Sequence, residues 1–386
     1  MPIRVIHTAD VHLDACFASP GMAPGFGNRR RQSLRDVLHA ILARATEWPA
    51  DAVLIAGDLF EHERVTRDTV AYLRAEFEAV APIPVFIAPG NHDPFVLDSP
   101  YGTEPWPNNV FIFRTPSWTA HALDGCALTV HGFAFDGPDV SSNPFGLLSV
   151  PRDGRVHVAV AHGSERSHQP PNKGAYAPFD AAAAAADGLA YLALGHFHAL
   201  TQIQGSPATA IYYSGAPEGH DFGETGPHHY IEVELDQDGV RVTPVVSSRS
   251  VYAVHTLDCS ALTTAQQVAA SVRAFKPDDS AGQILRVILT GVCVPEVRDS
   301  IAALREALAP EFQFLEFADE TAPADDYNAL AAEPTSLGAF VAAINEEIAD
   351  APDESQRRLL VRAREVGLAA LRGRALAIRG SEGASP

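Results

Sequence analysis

Cysteine and long apolar runs are scarce in this sequence. The 386-residue chain has four cysteines, and they form no CxxC pair. This argues against a disulfide scaffold or a zinc ribbon and is typical of a reducing compartment. No run of 18 or more apolar residues occurs, so we expect no transmembrane helix. The first residues, MPIRVIHTAD, lack the basic and apolar regions of an export signal. The sequence therefore predicts a cytoplasmic protein with no membrane partner.

Positive charge is scarce as well. The chain has 28 Lys and Arg residues, of which only two are lysines, against 48 Asp and Glu residues, so its formal net charge is -20. This balance disfavours a protein that binds nucleic acid through a general basic surface. An anionic substrate would have to be attracted by a local basic patch or by bound cations.

Short apolar runs, each followed by a polar loop, fill the first 250 residues. Continuous runs of this kind are typical of strands that are buried on both faces. The five clearest runs are Ile3–Ile6, Ala52–Ile55, Val85–Ala88, Val156–Ala161 and Tyr191–Leu194. Apolar residues at helical spacing predict helices over Ser33–Trp48 and Thr66–Val80. The pattern predicts a layered α/β domain with mixed sheets over residues 1–250.

The pattern changes after residue 250. A β-α-β-α-β order over residues 251–320 predicts a separate small α/β domain. Residues 321–336 are acidic and contain helix-breaking residues, which predicts a linker. A helical segment is expected over residues 337–380, including a basic amphipathic helix at Gln356–Ile378. The tail beyond residue 380 is expected to be disordered.

Residues typical of metal ligands follow each of the five buried strands. In open α/β sheets, the loops at the carboxyl ends of the strands lie along one edge, so we expect these side chains to converge. In chain order they are Asp10, His12, Asp58, Asn91, His92, Asp93, His162, His196 and His198. Such a concentration of titratable groups is unfavourable unless cations neutralise it. The sequence therefore predicts a metal centre at this edge.

The mixture of carboxylate, amide and imidazole donors indicates the metal. Borderline divalent ions accept such a mixture, Mn²⁺ above all, with Fe²⁺ or Zn²⁺ as alternatives. Two such ions about 3.5–4 Å apart stabilise both the attacking and the leaving oxygen in a displacement at phosphorus. Glycines precede Asp58, Asn91 and His196, which would allow tight turns in a crowded site. The pattern favours hydrolysis of a phosphoester at two divalent cations.

This ordered set of motifs resembles the calcineurin-like metallophosphoesterase superfamily. It is similar in particular to the DNA-repair exonuclease branch, which includes the SbcD nuclease subunit and the YhaO-type proteins. The stretches that carry the likeness within residues 3–250 are HTADVHLD at 7–14, LIAGDLFE at 54–61, GNHDP at 90–94, SPY at 99–101 and WPNNVFIF at 106–113. The HLD, SPY and WPNNV features favour the YhaO-type proteins over SbcD itself.

The resemblance implies a role for each motif residue. One metal ion would be held by Asp10, His12 and His198. The other would be held by Asn91, His162 and His196, and Asp58 would bridge both. His92 would donate a proton to the leaving oxygen or steady the phosphate. Asp93 would orient His92 by accepting its ring N–H.

The resemblance also implies an activity. The chain would be a metal-dependent DNA phosphodiesterase of DNA repair, an exonuclease or endonuclease that uses water activated by two metals. Residues 251–320 would cap the active site and help to present DNA. The C-terminal segment would dock an SMC-type coiled-coil ATPase, and the Thr66–Val80 helix is a candidate homodimer contact.

Several alternatives remain open. The same ligands would serve a phosphatase or a cyclic-nucleotide phosphodiesterase, whereas a non-catalytic scaffold is less favoured because every ligand position is filled. Arg29, Arg30 and Arg31 predict contacts to the DNA backbone beside the site, with a solvated helix start as the alternative. Five histidines without motif support are expected to be core or surface residues: His131, His157, His220, His228 and His229.

Overall fold

The structure, a computed structural model, describes residues 2–17, 25–138, 140, 143–169, 174–204, 208–276, 282–323 and 325–373. The predicted disordered tail and the end of the predicted C-terminal helix, from residue 374 onward, lie outside these residues. No helix among the described residues is long and apolar enough to cross a membrane.

Two six-stranded sheets dominate the described part of the first 250 residues. The strands of the first sheet are β1 (Ile3–Thr8), β2 (Ala52–Ile55), β3 (Val85–Ile87), β4 (Val110–Ile112), β11 (His229–Asp236) and β12 (Gly239–Val246). The strands of the second sheet are β5 (Thr119–Ala122), β6 (Leu128–Gly132), β7 (Val156–His162), β8 (Leu189–Gly195), β9 (Thr201–Ile203) and β10 (Ala210–Tyr213). The prediction of an α/β fold with mixed sheets is confirmed.

Each sheet has a run of four parallel strands; the second sheet has an antiparallel strand at each edge, and the first has two antiparallel strands at one edge. The orders are β12-β11-β1-β2-β3-β4 and β5-β6-β7-β8-β10-β9. Strands β1 to β4 run parallel to one another, as do β6, β7, β8 and β10. Strands β11, β12, β5 and β9 are antiparallel to their neighbours. Because the central strands of each sheet share one direction, their carboxyl ends lie at one edge of that sheet.

The helices of this region are α1 (Phe26–Glu47), α2 (Arg67–Ala79), α3 (Pro100–Thr103) and α4 (Ala181–Ala184). Helix α1 begins before the predicted start at Ser33, after Gly25, whose φ of 82° only glycine adopts readily. Helix α2 is capped by Thr66, whose hydroxyl accepts from the Thr69 N–H at 3.1 Å. Helix α4 covers only the first four of the six consecutive alanines at 181–186.

The alternating side chains of the strands build two kinds of interface. One face of the first sheet, with Val5, Leu54 and Phe86, packs against Val158 and Tyr191 of the second sheet. The other face packs against α1 and α2 through residues such as Ile6, Val53, Leu34, Leu38 and Leu73. Strands buried on both faces must be apolar throughout, which is why these strands read as continuous apolar runs.

After residue 249 the elements are β13 (Ser250–Asp258), α5 (Ala265–Arg273), β14 (Gly282–Thr290), β15 (Val292–Cys293), α6 (Pro295–Leu308), β16 (Phe314–Asp319), β17 (Ala322–Pro323), α7 (Tyr327–Ala331), α8 (Ser336–Ala349) and α9 (Glu354–Leu371). The predicted β-α-β-α-β order is therefore present. Strands β13, β14 and β16 form a sheet in that order. Residues 321–336, predicted as a linker, include β17 and α7.

The chain forms two compact units. The first comprises Met1–His255, Arg273–Val287 and Arg305–Phe317. The second comprises Thr256–Val272, Ile288–Leu304 and the residues from Ala318 onward. The chain passes between the units within strands β13, β14 and β16 and within helices α5 and α6. The predicted division into domains at residues 250, 320 and 336 stays a prediction.

Candidate metal centre

The predicted ligands lie together in the first unit, at the carboxyl ends of strands from both sheets. Ligand atoms of Asp10, His12 and His198 lie within 4.8 Å of one another, as do those of Asp10, Asp58 and His162. His162 Nε2 is 2.9 Å from Asn91 Oδ1, and the His162 and His196 ring centroids are 5.3 Å apart. The structure thus brings all seven predicted ligands into one contiguous cluster: Asp10, His12, Asp58, Asn91, His162, His196 and His198.

Asp58 occupies the middle of this cluster. Its Oδ2 is 3.3 Å from His162 Nε2 and 3.8 Å from His12 Nε2, so it lies between the two predicted ligand groups. Its Oδ1 accepts the backbone N–H of His92 at 2.9 Å. The Asp58 side chain is 3% exposed. A buried carboxylate in this position has the placement that a ligand shared by two cations requires.

The hydrogen bonds of the histidines test whether the cluster suits a cation. His12 Nδ1 lies 2.9 Å from Glu61 Oε1, and His198 Nδ1 lies 2.5 Å from Glu224 Oε1. An ionised carboxylate only accepts hydrogen bonds, so both Nδ1 atoms carry protons. In the neutral rings the two Nε2 atoms, 3.2 Å apart, then present lone pairs to each other. This contact is repulsive unless a metal cation or a proton lies between them.

The second predicted ligand group, Asn91, His162 and His196, also has acceptor atoms that face one another. His162 Nδ1 donates to the Ala56 carbonyl at 2.9 Å. Its Nε2 therefore faces the acceptor oxygens Asn91 Oδ1 and Asp58 Oδ2. When this ring is neutral, three acceptor atoms converge here at hydrogen-bond distance, which suits a shared cation. Both groups of residues fit divalent metal ions.

The pKa values report how strongly the buried charges interact. Burial raises the pKa of Asp10 to about 6, because its charged form has lost water. Burial lowers the pKa of His162 and His198, but Asp58 beside His162 and Glu224 beside His198 outweigh it and raise each pKa to about 9. In the absence of metal these rings therefore hold protons, which a divalent cation would displace on binding.

The backbone at the ligands is strained. Asp10, His12, Asp58 and His196 have φ values of 54°, 49°, 52° and 113°. Residues other than glycine rarely adopt such φ values, and each one costs about 1–3 kcal/mol. Strain of this kind persists where the surrounding structure imposes it, and such residues cluster at functional sites. Four of the six described non-glycine residues with positive φ are predicted ligands, so the fold aims these side chains at the expense of local backbone energy.

Gly90→Ala should destabilise the centre. A Cβ at Gly90 would lie 2.9 Å from the His162 ring and still closer to Asp58 Oδ1. Overpacking of this kind costs about 1–3 kcal/mol, and here it would also displace two ligands. We expect a lower melting temperature and a lower metal content, measured by calorimetry and elemental analysis. Gly125→Ala is the matched control, since nothing lies within 4 Å of its added Cβ. Equal effects of both substitutions would contradict the prediction.

His92 lies at the solvent edge of the cluster. Its side chain is 44% exposed, and its Nδ1 is 3.0 Å from Glu61 Oε2. The hydrogen bond to Glu61 raises the pKa of His92. Because Nδ1 donates to Glu61, Nε2 is the atom available to a substrate.

The predicted hydrogen bond from His92 to Asp93 is wrong. Asp93 is fully buried, and its oxygens accept the backbone N–H groups of Asp58, Leu59 and Gly90 and the Tyr101 hydroxyl, at 2.7–3.0 Å. Two ligand loops and the SPY segment are thereby joined through Asp93, and no oxygen is left to face His92. Asp93 fixes the backbone around Asp58, and Glu61 is the carboxylate that orients His92.

Three residues of the centre were not predicted. Glu61 bonds to the rings of both His12 and His92, and Glu224 bonds to the rings of both His198 and His220. His220 therefore lies beside the predicted ligands, a position that its interpretation as a core or surface histidine did not include. Glu61 stands within the LFE stretch of the second motif, so its position offered a signal. Glu224 and His220 stand outside the five motifs.

The arginine triplet divides into exposed and buried members. Arg29 is exposed and Arg31 is half-buried. Arg30 is fully buried and donates to Glu218 at 2.6 Å, to Ser250 Oγ and to the Gly219 carbonyl. The prediction that Arg30 contacts DNA is therefore wrong, because its guanidinium is committed to a buried ion pair. A DNA role for Arg29 and Arg31 stays a prediction.

Comparison with known proteins places this site in a family. The calcineurin-like phosphoesterase family model matches residues 3–200. The uncharacterized metallophosphoesterase YhaO of Bacillus subtilis is 28% identical over 243 residues, which are 60% of this chain and 57% of that protein. The DNA double-strand break repair protein Mre11 of Halobacterium salinarum is 29% identical over 262 residues, which are 64% of this chain and 59% of that protein.

The aligned regions span less than two thirds of the length of these curated relatives. Among solved structures, a dimetal phosphatase from Danio rerio is similar over 64% of this chain and the whole of that chain, with 12% identity and a TM-score of 0.35. The family match covers the residues that supply the ligand loops of β1, β2, β3, β7 and β8. The chain belongs to the calcineurin-like phosphoesterase family.

Proposed function

We propose that this chain is a metal-dependent DNA phosphodiesterase that acts in DNA repair. The observation that carries the proposal is the cluster of seven ligands around Asp58, with the ring of His92 exposed at its edge. A family phosphoesterase with this arrangement can hold two cations and offer a proton to a leaving oxygen. The mixed oxygen and nitrogen donors favour Mn²⁺, with Fe²⁺ or Zn²⁺ as alternatives.

The choice of DNA as substrate is supported by a relative. The Halobacterium protein that is 29% identical to this chain is named as a DNA double-strand break repair protein. The net charge of -20 leaves a DNA substrate dependent on local attraction, which two divalent cations and the exposed Arg29 would supply. Under this proposal, residues 251–320 cap the site and help to present DNA.

The residues around the bound cations would have distinct parts in the reaction. Bound cations would supply an activated water near neutral pH and offset the charge of the phosphate oxygens. Glu61 holds Nδ1 of His92 and stabilises its protonated form. His92 Nε2 then donates a proton to the leaving oxygen as the bond to phosphorus breaks. Asp93 keeps the Asp58 and Asn91 loops together during turnover.

A comparison of substrates tests the proposed activity on DNA. Purified protein with Mn²⁺ would be assayed on end-labelled duplex and single-stranded DNA, bis-p-nitrophenyl phosphate, p-nitrophenyl phosphate and a cyclic nucleotide. We expect cleavage of DNA and of the diester, with the monoester a poor substrate. Preference for the monoester would favour a phosphatase, and preference for the cyclic nucleotide a cyclic-nucleotide phosphodiesterase. Either result would overturn the assignment to DNA.

Arg29 and Arg31 should contribute to DNA affinity through charge alone. On duplex DNA, each arginine that binds a phosphate adds about 0.9 to the steepness of log affinity against log salt. The double variant Arg29→Gln, Arg31→Gln should therefore reduce that steepness by about 2. Fluorescence anisotropy in the His92→Ala background, where we expect DNA to be cut far more slowly, would measure it. Arg152→Gln, which removes a charge from an 86% exposed side chain, should leave the slope unchanged, and an unchanged slope in the double variant would dismiss this role for the two arginines.

The partner proposal rests on the C-terminal helices. Helix α9 exposes Leu359 and Val366, which are 68% and 36% exposed. The two residues are seven positions apart, so they share one face of the helix. An exposed apolar face of this kind suits a partner helix or coiled coil, and an SMC-type ATPase is the partner we propose. Helix α2 remains our candidate for a homodimer contact. Co-purification with an SMC-type ATPase, compared between the native chain and Leu359→Asp, would test the first contact.

A further inference from the structure

One ring nitrogen of His220 is buried and lacks a hydrogen-bond partner among the described residues. Its Nδ1 lies 3.2 Å from Glu224 Oε2, and its backbone N–H donates to the same oxygen at 2.9 Å. Its Nε2 is buried and has no hydrogen-bond partner among the residues that the structure describes. Since the Glu224 carboxylate accepts the Nδ1 proton, Nε2 of the neutral ring carries a lone pair. A buried acceptor in this state is unfavourable unless a donor or a cation meets it.

The rings of two predicted metal ligands lie beside His220. Its ring centroid is 5.2 Å from that of His12 and 5.3 Å from that of His198. Phe17 stacks parallel to the ring at 6.1 Å, so that side is apolar. His198, His220 and Glu224 each offer a ligand atom within 4.8 Å of the others.

His12, His198 and His220 share one local arrangement. In each ring Nδ1 is held by a glutamate, Glu61 for His12 and Glu224 for the other two. A carboxylate that binds one imidazole nitrogen fixes the tautomer in which the other nitrogen can bind a metal. Two of these rings are predicted ligands, and their Nε2 atoms lie 3.2 Å apart. The third ring adjoins both.

We propose that His220 is a further ligand of the cation held by Asp10, His12 and His198. The inference deepens the proposed function, since it rests on the same metal centre. His220 stands outside the five ligand motifs, in the loop that follows β10. The ring would raise the number of nitrogen donors at this cation and favour a borderline metal there. Glu224 is then the positioning residue for two ligands of one ion.

Cobalt substitution tests this assignment without any substrate. In His220→Cys, a thiolate would replace the imidazole, and Co²⁺ bound to it should show an intense near-ultraviolet charge-transfer band. The native protein keeps its four cysteines and provides the baseline without that band. His39→Cys, at a 62% exposed side chain on α1, is the matched control and should resemble the native protein. A band of equal intensity in both variants, or in neither, would overturn the proposal.

Metal affinity gives a second readout. Loss of a supporting group around a metal lowers affinity about 10–100-fold, and loss of a ligand should cost at least as much. In His220→Ala we expect one of two Co²⁺ sites to weaken at least tenfold, while His39→Ala keeps both. If His220→Ala does not fold, His220→Gln replaces it. Two unchanged sites in the folded variant would refute the ligand role. A native protein that binds two Co²⁺ ions but cuts no DNA would overturn only the proposed function.

Discussion

Asp58→Asn should lower phosphodiesterase activity by at least about a thousandfold. A carboxylate shared by two cations contributes to both, and charge stabilisation at such centres is worth several kcal/mol, which corresponds to a factor of about a thousand. Asp58 is 3% exposed and lies between His12 and His162. The amide cannot neutralise two cations, so we expect the variant to retain at most one metal ion, measured by elemental analysis.

The matched control for this change is Asp187→Asn. Asp187 is an acidic residue of the same unit whose side chain is 83% exposed and paired with Arg152. An exposed pair of this kind contributes little, so metal content and activity should remain native. An Asp58→Asn protein that binds two ions and cleaves the diester at the native rate would remove the basis of the proposed centre.

His92→Ala should lower activity on DNA by about 10²–10⁴-fold, the usual contribution of a general acid, and leave both metal ions in place. The reason is the position of the ring at the solvent edge of the cluster, bonded to Glu61 and not to the predicted ligands. Bis-p-nitrophenyl phosphate should lose less activity than DNA, because p-nitrophenolate leaves without a proton. The comparison of kcat on the two substrates measures this difference.

Glu61→Gln should affect both histidines that Glu61 contacts, His92 and His12, and each effect has its own measurement. The amide would no longer stabilise protonated His92, so part of the His92→Ala defect should appear. It would also weaken the orientation of His12, so metal affinity should fall modestly. Equal losses on DNA and on the activated diester in His92→Ala would argue against proton donation and for a role in steadying the phosphate.

The convergence of the proposed ligands could be predicted because each of them lies next to a strong local signal. Short apolar runs indicated buried strands, and the residues after them were restricted to a few metal-binding types, with glycine where a Cβ would collide, as at Gly57 and Gly90. The common direction of parallel strands then predicts that these loops meet. This argument needs only the order of elements, which local sequence largely determines.

Other features depended on contacts between distant segments. Arg30 is adjacent to two accessible arginines, yet it pairs with Glu218, 188 residues later. Asp93 adjoins His92 but bonds to the loop of Asp58. No local pattern distinguishes these outcomes, because burial and hydrogen-bond partners arise only when the loops pack together.

The sequence by itself therefore determined the fold class, the metal-ligand loops and the kind of chemistry they support, since strand periodicity and donor types are properties of short segments. Only the tertiary structure decided which carboxylates orient the histidines, as Glu61 and Glu224 do, and that His220 joins the centre. Those assignments depend on side-chain directions from the loops after β1, β2, β8 and β10, which pack against each other only in the folded chain.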